Sequence, residues 1–536
     1  MRIVSMFGLI ALMFVAYLMS TDKRQVPWRV ILWGVGLQIL FATIILTRST
    51  ISFVGMFIFF TWILIYLFVR RREEPLSRGG QIQRAVLLAV GAAAVTGLFY
   101  YLQGIQLGLW LVILTVGWVI FNSWKKQYHL QPYATGILLT GTLGVLIREQ
   151  IHGKIIFQAL SEKVDAFLRL TDLGTTFLFG QIVSQEFQDT WGYQFAFAVL
   201  PTIIFFAAFM AILYHLGVMQ RIVKALAKFM QWTLGTSGAE TLSCSANIFV
   251  GQTEAPLLIK PFLDRMTMSE LLTIMVGGFA TVAGGVLAGY IRMGVDAGHL
   301  IAASVMSAPA ALVVGKIIFP EKEHSDTAGD VELPEISDSV NLLDAAANGV
   351  TDGLKLAANV GAMLVAFIAL IGLVDVILNW ADGLIDGTLL NGEYIKYASV
   401  GFSPNQGEFT GIFPGSIKTL FGTILRPIAW LMGVSWEYAD DVGNLLGIKI
   451  SLNEFVAFAS LAKEIGAGAL SARAETIATY AICGFANFSS IGIQIGGISA
   501  IAPSRRSDLA KVALRAMFGG ALASWMTATI AGIMVA

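Results

Sequence analysis

The chain has 536 residues, 56% of them hydrophobic and 13% charged, with a mean hydropathy of +0.74. Soluble globular chains carry about 25% charged residues, so this composition excludes an ordinary soluble domain and indicates a polytopic membrane protein. Lys plus Arg equals Asp plus Glu at 35 each, which leaves no electrostatic footprint for nucleic acid.

In chain order, apolar runs long enough for a ~30 Å hydrocarbon core predict spans at 4–20, 28–47, 51–69, 85–103, 105–123 and 132–147. The first run lacks a basic leader beyond Arg2 and a good cleavage site, so it is expected to be retained. Lys23 and Arg24, then Arg70, Arg71, Arg72 and Arg78, then Lys125 and Lys126 follow the odd spans. Lys and Arg gather in cytoplasmic loops, which puts the N-terminus outside. Residues 149–192 are amphipathic rather than uniformly apolar and suit the membrane interface.

A span at 195–217 then leads to Arg221, Lys224 and Lys228, and spans at 267–291, 299–319 and 351–379 follow. The charged stretch 321–345 reads as a solvated cytoplasmic linker, and 380–417 as an external polar segment. Spans at 475–502 and 512–534 bracket Arg505, Arg506, Lys511 and Arg515, so the C-terminus is also expected outside. The count closes only if 230–264 and 442–466 enter and leave by the same face. Each has short apolar halves around a polar centre, the pattern of a re-entrant hairpin lining a cavity.

These elements predict an all-α polytopic membrane protein: an inverted-repeat transporter core with two re-entrant helical hairpins, discontinuous helices and about twelve spans. Its parts are two scaffold spans (1–48), an inserted block (49–148), an interfacial segment (149–192), a first repeat (193–320, hairpin 230–264), a linker (321–350) and a second repeat (351–536, hairpin 442–466). Cys244 and Cys483 sit in apolar runs and read as small buried packers, not as a disulfide or metal pair.

The hairpins carry Glu254 and Glu454, and each precedes a span with a Gly-rich or polar break, "GGFATVAGG" after the first and "CGFANFSSIG" after the second. From Glu254 to Val286 is 32 residues, and from Glu454 to Asn487 is 33. A carboxylate at membrane depth is costly and faces a cavity or a partner. The bland reading is that each glutamate only caps a half-helix; two at corresponding positions favour a shared central site instead. Gln252, Asn453 and Asn487 both donate and accept hydrogen bonds, and no Arg or Lys sits in the polar centres of these four segments apart from Lys449 near the second hairpin. That set suits a neutral, hydroxyl-rich solute with Phe485 as a stacking wall. Asn247, Thr281 and the carbonyls of Val250 and Val282 offer oxygen ligands to a monovalent cation, although Thr281 equally fits simple back-bonding in its helix.

At this point "SANIFVGQTEAPLLI", "GGFATVAGGVLAGYI", "LNEFVAF" and "CGFANFSSIGIQIGG" closely resemble the concentrative nucleoside transporter family, over about residues 1–47 and 165–534. The resemblance implies a homotrimer in the cell membrane that takes up nucleosides of the uridine, cytidine and adenosine class. It implies that Gln252, Thr253, Glu254 and Val286 meet the nucleobase. Glu454, Asn487 and Ser490 would meet the ribose, and Phe485 would line the pocket. Sodium would lie at Asn247, Val250, Thr281 and Val282. Retention of "GQTEAP" and "FAT" favours sodium over proton coupling. No organic cofactor is implied. The departure is 49–148, with no acidic residue within an apolar run, which suits peripheral packing.

A proton-coupled symporter is the main rival. A membrane enzyme using paired carboxylates is disfavoured because His129, His152, His215, His299 and His324 fall near span ends or in loops. A passive channel is disfavoured because two hairpins from opposite faces suit a gated carrier better than a continuous pore.

Overall fold

The computed structural model describes residues 1–69, 131–184, 187, 190, 194–327, 339–397 and 404–535. The spans expected at 85–103 and 105–123 lie outside the described residues. In chain order, the N-terminal helices are α1 (Arg2–Leu18), α2 (Trp28–Leu46), α3 (Thr50–Val69), α4 (Gln131–Arg148), α5 (Gly153–Leu168) and α6 (Thr171–Phe179).

Beyond them the same order of elements occurs twice. First come α7 (Leu200–His215), α8 (Val218–Leu234), α9 (Gly238–Ala246), a 3₁₀ segment Ala255–Arg265, the broken pair α10 (Met268–Ala280) and α11 (Gly284–Arg292), and α12 (Ala297–Ile318). The second pass is α13 (Leu342–Asp382), α14 (Ile417–Leu431), α15 (Ala439–Ser451), α16 (Glu454–Gly466), the broken pair α17 (Ala472–Ile482) and α18 (Phe488–Ile501), and α19 (Arg506–Met534). Between α13 and α14 lie a π-helical turn, Gly383–Leu389, and a two-stranded antiparallel hairpin, β1 (Tyr394–Lys396) with β2 (Gly407–Phe409).

Among the described residues, six helical stretches are long and apolar enough to cross a membrane. Burial separates a core from a periphery. The most apolar window of α12 is 89% buried, whereas that of α13 is 17% buried. Helix α19 packs against α1, α10, α12 and α17 and forms the centre of the core. Helices α7 and α13 pack chiefly on each other at the edge. There Gly349 lies against Ala208 and Gly353 against Ile204, each closer than any β-carbon would permit, so the two backbones run antiparallel in contact. Small residues at such a seam let dispersion replace the missing hydrophobic drive between helices in lipid.

Local sequence sets where these helices begin. Helix α9 begins at Gly238, because Gly235 (φ +76°) ends α8 and Ser237 opens α9 with a capping box to Glu240. Helix α15 begins at Ala439. Helix α13 starts at Leu342, capped by Asn341. Helix α14 had no counterpart in the sequence reading. It is an amphipathic helix in the place that α8 holds in the first pass.

Residues 321–327 are not simply solvated. The Glu321 carboxylate meets Lys316 Nζ at 3.1 Å, and the buried hydroxyls of Ser325 and Thr327 each donate to Glu270 Oε1 at 2.5 Å. Lys316 Nζ also lies 2.8 Å from Glu240 Oε2, with both side chains nearly inaccessible. Breaking a buried pair from one side costs about 3–5 kcal/mol, so Lys316→Met is expected to lower the melting temperature of the purified protein clearly. Adding Glu240→Gln should then cost less than additively, a coupling read from a double-mutant cycle.

Part of the inserted block is described. Ser52 Oγ accepts from the Gly153 amide at 3.0 Å and donates to the Ile44 carbonyl at 3.1 Å. Trp62 meets Trp33 edge-on at 5.0 Å, and Phe59 and Tyr66 each meet Phe229 at 5.9 Å. Helix α3 is thus fastened to α2, α5 and α8 on the flank of the core.

Candidate functional site

Both broken helix pairs owe their breaks to local sequence. After Ala280, Thr281 turns extended (φ −120°, ψ 168°), and the chain resumes as a helix at Gly284, whose amide bonds the Phe249 carbonyl at 3.1 Å. That bond ties the first hairpin's tip to the first break. In the second pair, Gly484 adopts φ +154°, and a β-carbon there would stand 2.8 Å from the Phe279 carbonyl, so glycine lets the two breaks touch. The Phe485 amide then donates to the Thr281 carbonyl at 3.2 Å. Ser524 Oγ of α19 lies between them, 3.2 Å from the Cys483 carbonyl and 3.4 Å from that of Ala280.

Next to this crossing is a cavity of ≈ 190 Å³. Every residue singled out from the four motifs for solute binding lines it: Gln252, Thr253, Glu254, Val286, Glu454, Phe485, Asn487 and Ser490. No histidine is in the lining. A larger cavity, ≈ 440 Å³, opens at the Lys316–Glu240 pair and shares none of these residues. Size alone therefore does not select the site; the convergence of four separated segments does.

The two glutamates differ in setting. Glu454 is buried, accepting from Tyr290 Oη at 3.3 Å and from Asn487 Nδ2 at 3.0 Å. Helix capping there falls to its neighbour, since Asn453 Oδ1 accepts from the Val456 amide at 2.9 Å. Asn487 uses both ends of its amide. Its Oδ1 caps α18 by accepting from the Ser490 amide at 2.8 Å while its Nδ2 holds Glu454, so capping and site geometry are one constraint. Glu254 is exposed to the cavity and makes no side-chain cap bond. Neither glutamate is present merely as the side-chain cap of its helix.

Of the residues expected to hold a cation, Asn247 and Thr281 both meet Gly277 in the last turn of α10. Asn247 ends α9 with both amide atoms buried and unpartnered, an arrangement that costs free energy unless a ligand satisfies it. Its Nδ2 lies 3.4 Å from where a Gly277 β-carbon would be, in the last turn of α10. Thr281 Oγ1 donates to the Gly277 carbonyl at 2.9 Å. The back-bonding reading of Thr281 is therefore correct for its proton, and the oxygen keeps lone pairs for an ion. Val282 is fully buried and Val250 half-buried.

Some residues escaped the sequence reading. Tyr290, fully buried, orients Glu454 from the first repeat. Gln494, also fully buried, donates to Gln252 Oε1 at 3.0 Å and to the Met275 carbonyl at 3.2 Å. Its signal was available, as a lone amide in the apolar run "IGIQIGG". Leu356, Val360, Met363 and Leu364 of α13 close one wall, and no local signal marks them.

A cavity walled by hairpin tips and helix breaks, with polar groups from both halves of the chain, defines a solute carrier's binding site rather than an enzyme's reaction centre. Residues 7–66, 196–297 and 299–532 match, respectively, the Na+ dependent nucleoside transporter N-terminus, nucleoside recognition (Gate), and Na+ dependent nucleoside transporter C-terminus families. The first match runs past residue 48 into α3.

The chain is 42% identical over 441 residues to sodium/nucleoside cotransporter 1 of Rattus norvegicus, a match that covers 80% of this chain and 62% of the rat protein. It thus spans about three-fifths of that relative's length. It is 39% identical over 417 residues to the uncharacterized transporter YutK of Bacillus subtilis, covering 78% of this chain and 96% of YutK. The fold matches CNTnw in an inward-facing substrate-bound state with a TM-score of 0.71 and 30% identity, over 100% of this chain and 98% of that one. An outward-facing CNTnw variant matches with a TM-score of 0.72. The chain belongs to the Na+ dependent nucleoside transporter family, a family of transporters and not of enzymes.

Proposed function

We propose that this protein is a sodium-driven nucleoside symporter of the cell membrane, working by alternating access on solutes of the uridine, cytidine and adenosine class. The observation that carries the reading is the convergence of Gln252, Thr253, Glu254, Val286, Glu454, Phe485, Asn487 and Ser490 on one cavity. In it, the first hairpin and Val286 read the nucleobase, Glu454, Asn487 and Ser490 accept and donate to the ribose hydroxyls, and Phe485 forms an apolar wall. Sodium is the second cargo. It takes its ligands from Asn247, Thr281 and the carbonyls of Val250 and Val282, and by ordering the first tip it sets Gln252 and Glu254 for the base. Each positive charge moving inward carries about 2.3 kcal/mol per 100 mV, enough to concentrate a neutral solute.

In this reading, 238–265 and 439–466 are re-entrant hairpins of an inverted repeat, the spans number about twelve, and both termini lie outside. The exposed apolar face of α13, with Val365, Leu373, Val376 and Trp380, leaves surface for lipid and for the other copies of a homotrimer.

Radiolabelled uridine uptake into proteoliposomes tests the whole. Accumulation is expected under an inward sodium gradient and not under a proton gradient in sodium-free buffer. Accumulation on protons alone would keep the cavity assignment and discard the sodium site. Uptake that never exceeds equilibration would make the protein a channel.

A further inference from the structure

The two passes of the chain end their broken half-helices at one place but treat them differently. A helix C-terminus carries partial negative charge and carbonyls without intrahelical partners. At membrane depth such an end attracts a cation. Helix α10 ends at Ala280 beside the unpartnered amide of Asn247, and neither α9 nor α10 contains a Lys or Arg. Helix α17 ends at Ile482, and there a cation is already supplied. Lys449, in the last turn of α15, is fully buried and donates from Nζ to the Ala481 carbonyl at 3.0 Å. Helices α9 and α15 hold the same position in the two passes, as do α10 and α17, and the two ends meet on either side of Ser524.

We propose that Lys449 is a tethered counterpart of the coupling ion: its ammonium occupies in the second repeat the position that sodium takes in the first. The proposal rests on the sodium-coupled reading above and deepens it. The state of the two tips accords with it. On the side that holds a built-in cation, Glu454 is buried and fastened by Tyr290 and Asn487. On the side without one, Glu254 is exposed and Asn247 unpartnered. In this scheme side chains of the chain itself hold the ribose half of the site, and sodium orders the nucleobase half. A fully buried lysine at membrane depth is costly; the bond to the Ala481 carbonyl recovers part of that cost. Lys449 is a positioning residue in this scheme, and it leaves the second repeat no vacancy for a second ion.

The test uses the full chain in proteoliposomes. The wild-type charge-to-uridine ratio, from reversal potentials, is expected to be about one, with a sodium Hill coefficient of about one. Lys449→Met keeps length and removes charge. It is expected to raise the uridine KM about tenfold or more and to raise the Hill coefficient toward about two as sodium enters the vacated position. Lys449→Arg is expected to keep the wild-type ratio. A Lys449→Met protein that melts like wild type and keeps its KM and Hill coefficient would overturn the proposal. So would a wild-type ratio of about two, which decides the matter even if the methionine variant does not fold. Wild-type uptake indifferent to sodium would instead reject the sodium reading itself.

Discussion

Replacing Glu454 by glutamine is expected to raise the uridine KM by about 10- to 150-fold, the equivalent of the ~1.5–3 kcal/mol that hydrogen bonds to a charged group contribute. The substitution preserves shape. It exchanges one of two accepting oxygens for a donor, so the carboxylate that Tyr290 and Asn487 orient can no longer accept from both of them and from the solute's hydroxyls. The loss should be specific. Uridine and its 2′- and 3′-deoxy analogues, which the wild type is expected to separate, should converge in the variant. Concentration-dependent uptake measures both effects. An unchanged KM with intact discrimination would remove Glu454 from the ribose site, and with it the reading of the cavity.

The second large effect concerns Asn247. Asn247 keeps both side-chain polar atoms buried without a protein partner, and each such atom costs about 1–3 kcal/mol when no ligand satisfies it. Asn247→Leu removes the penalty together with the ligand. In sodium-free buffer the variant is expected to melt no lower than wild type. Wild type should gain stability as sodium is added, because a ligand that binds only the folded state stabilises it by mass action. The variant should show no such gain. Its half-saturating sodium concentration for uptake should rise about tenfold or more. Thermal unfolding in sodium against choline chloride reads the first effect, and the sodium dependence of uptake reads the second. If the variant kept the wild-type sodium response, the ion would have to lie elsewhere.

The polar residues that line the cavity are legible in the sequence, for a physical reason. A membrane interior penalises every unsatisfied polar group, so polar residues that persist in apolar runs are few and conspicuous. "GQTEAP", "NEFVAF" and "ANFSS" stand out against their surroundings, and residues read from them line one cavity. The glycines that allow the breaks are visible for a related reason, since Gly484 at φ +154° tolerates no side chain. The broad class, the breaks in the helices and the polar residues that line the cavity are visible in the sequence by itself.

What only the tertiary structure decided are relations between segments remote in sequence. Nothing in "LAGYI" announces that Tyr290 holds a glutamate 164 residues away. Nothing around Val360, Met363 and Leu364 distinguishes the apolar side chains that wall the cavity from those that face outward, because residues 360–374 are apolar all round and have no pattern to read. The linker after α12 looked solvated because charge alone cannot show which carboxylate will find Lys316 or which hydroxyls will reach Glu270. Lys449 is the clearest instance. In the sequence it is one lysine near a hairpin; in the fold its ammonium lies against the end of a half-helix, opposite the place where its repeat partner has none. Composition and local pattern state which groups must be satisfied, and only the packed chain determines which partner satisfies each one.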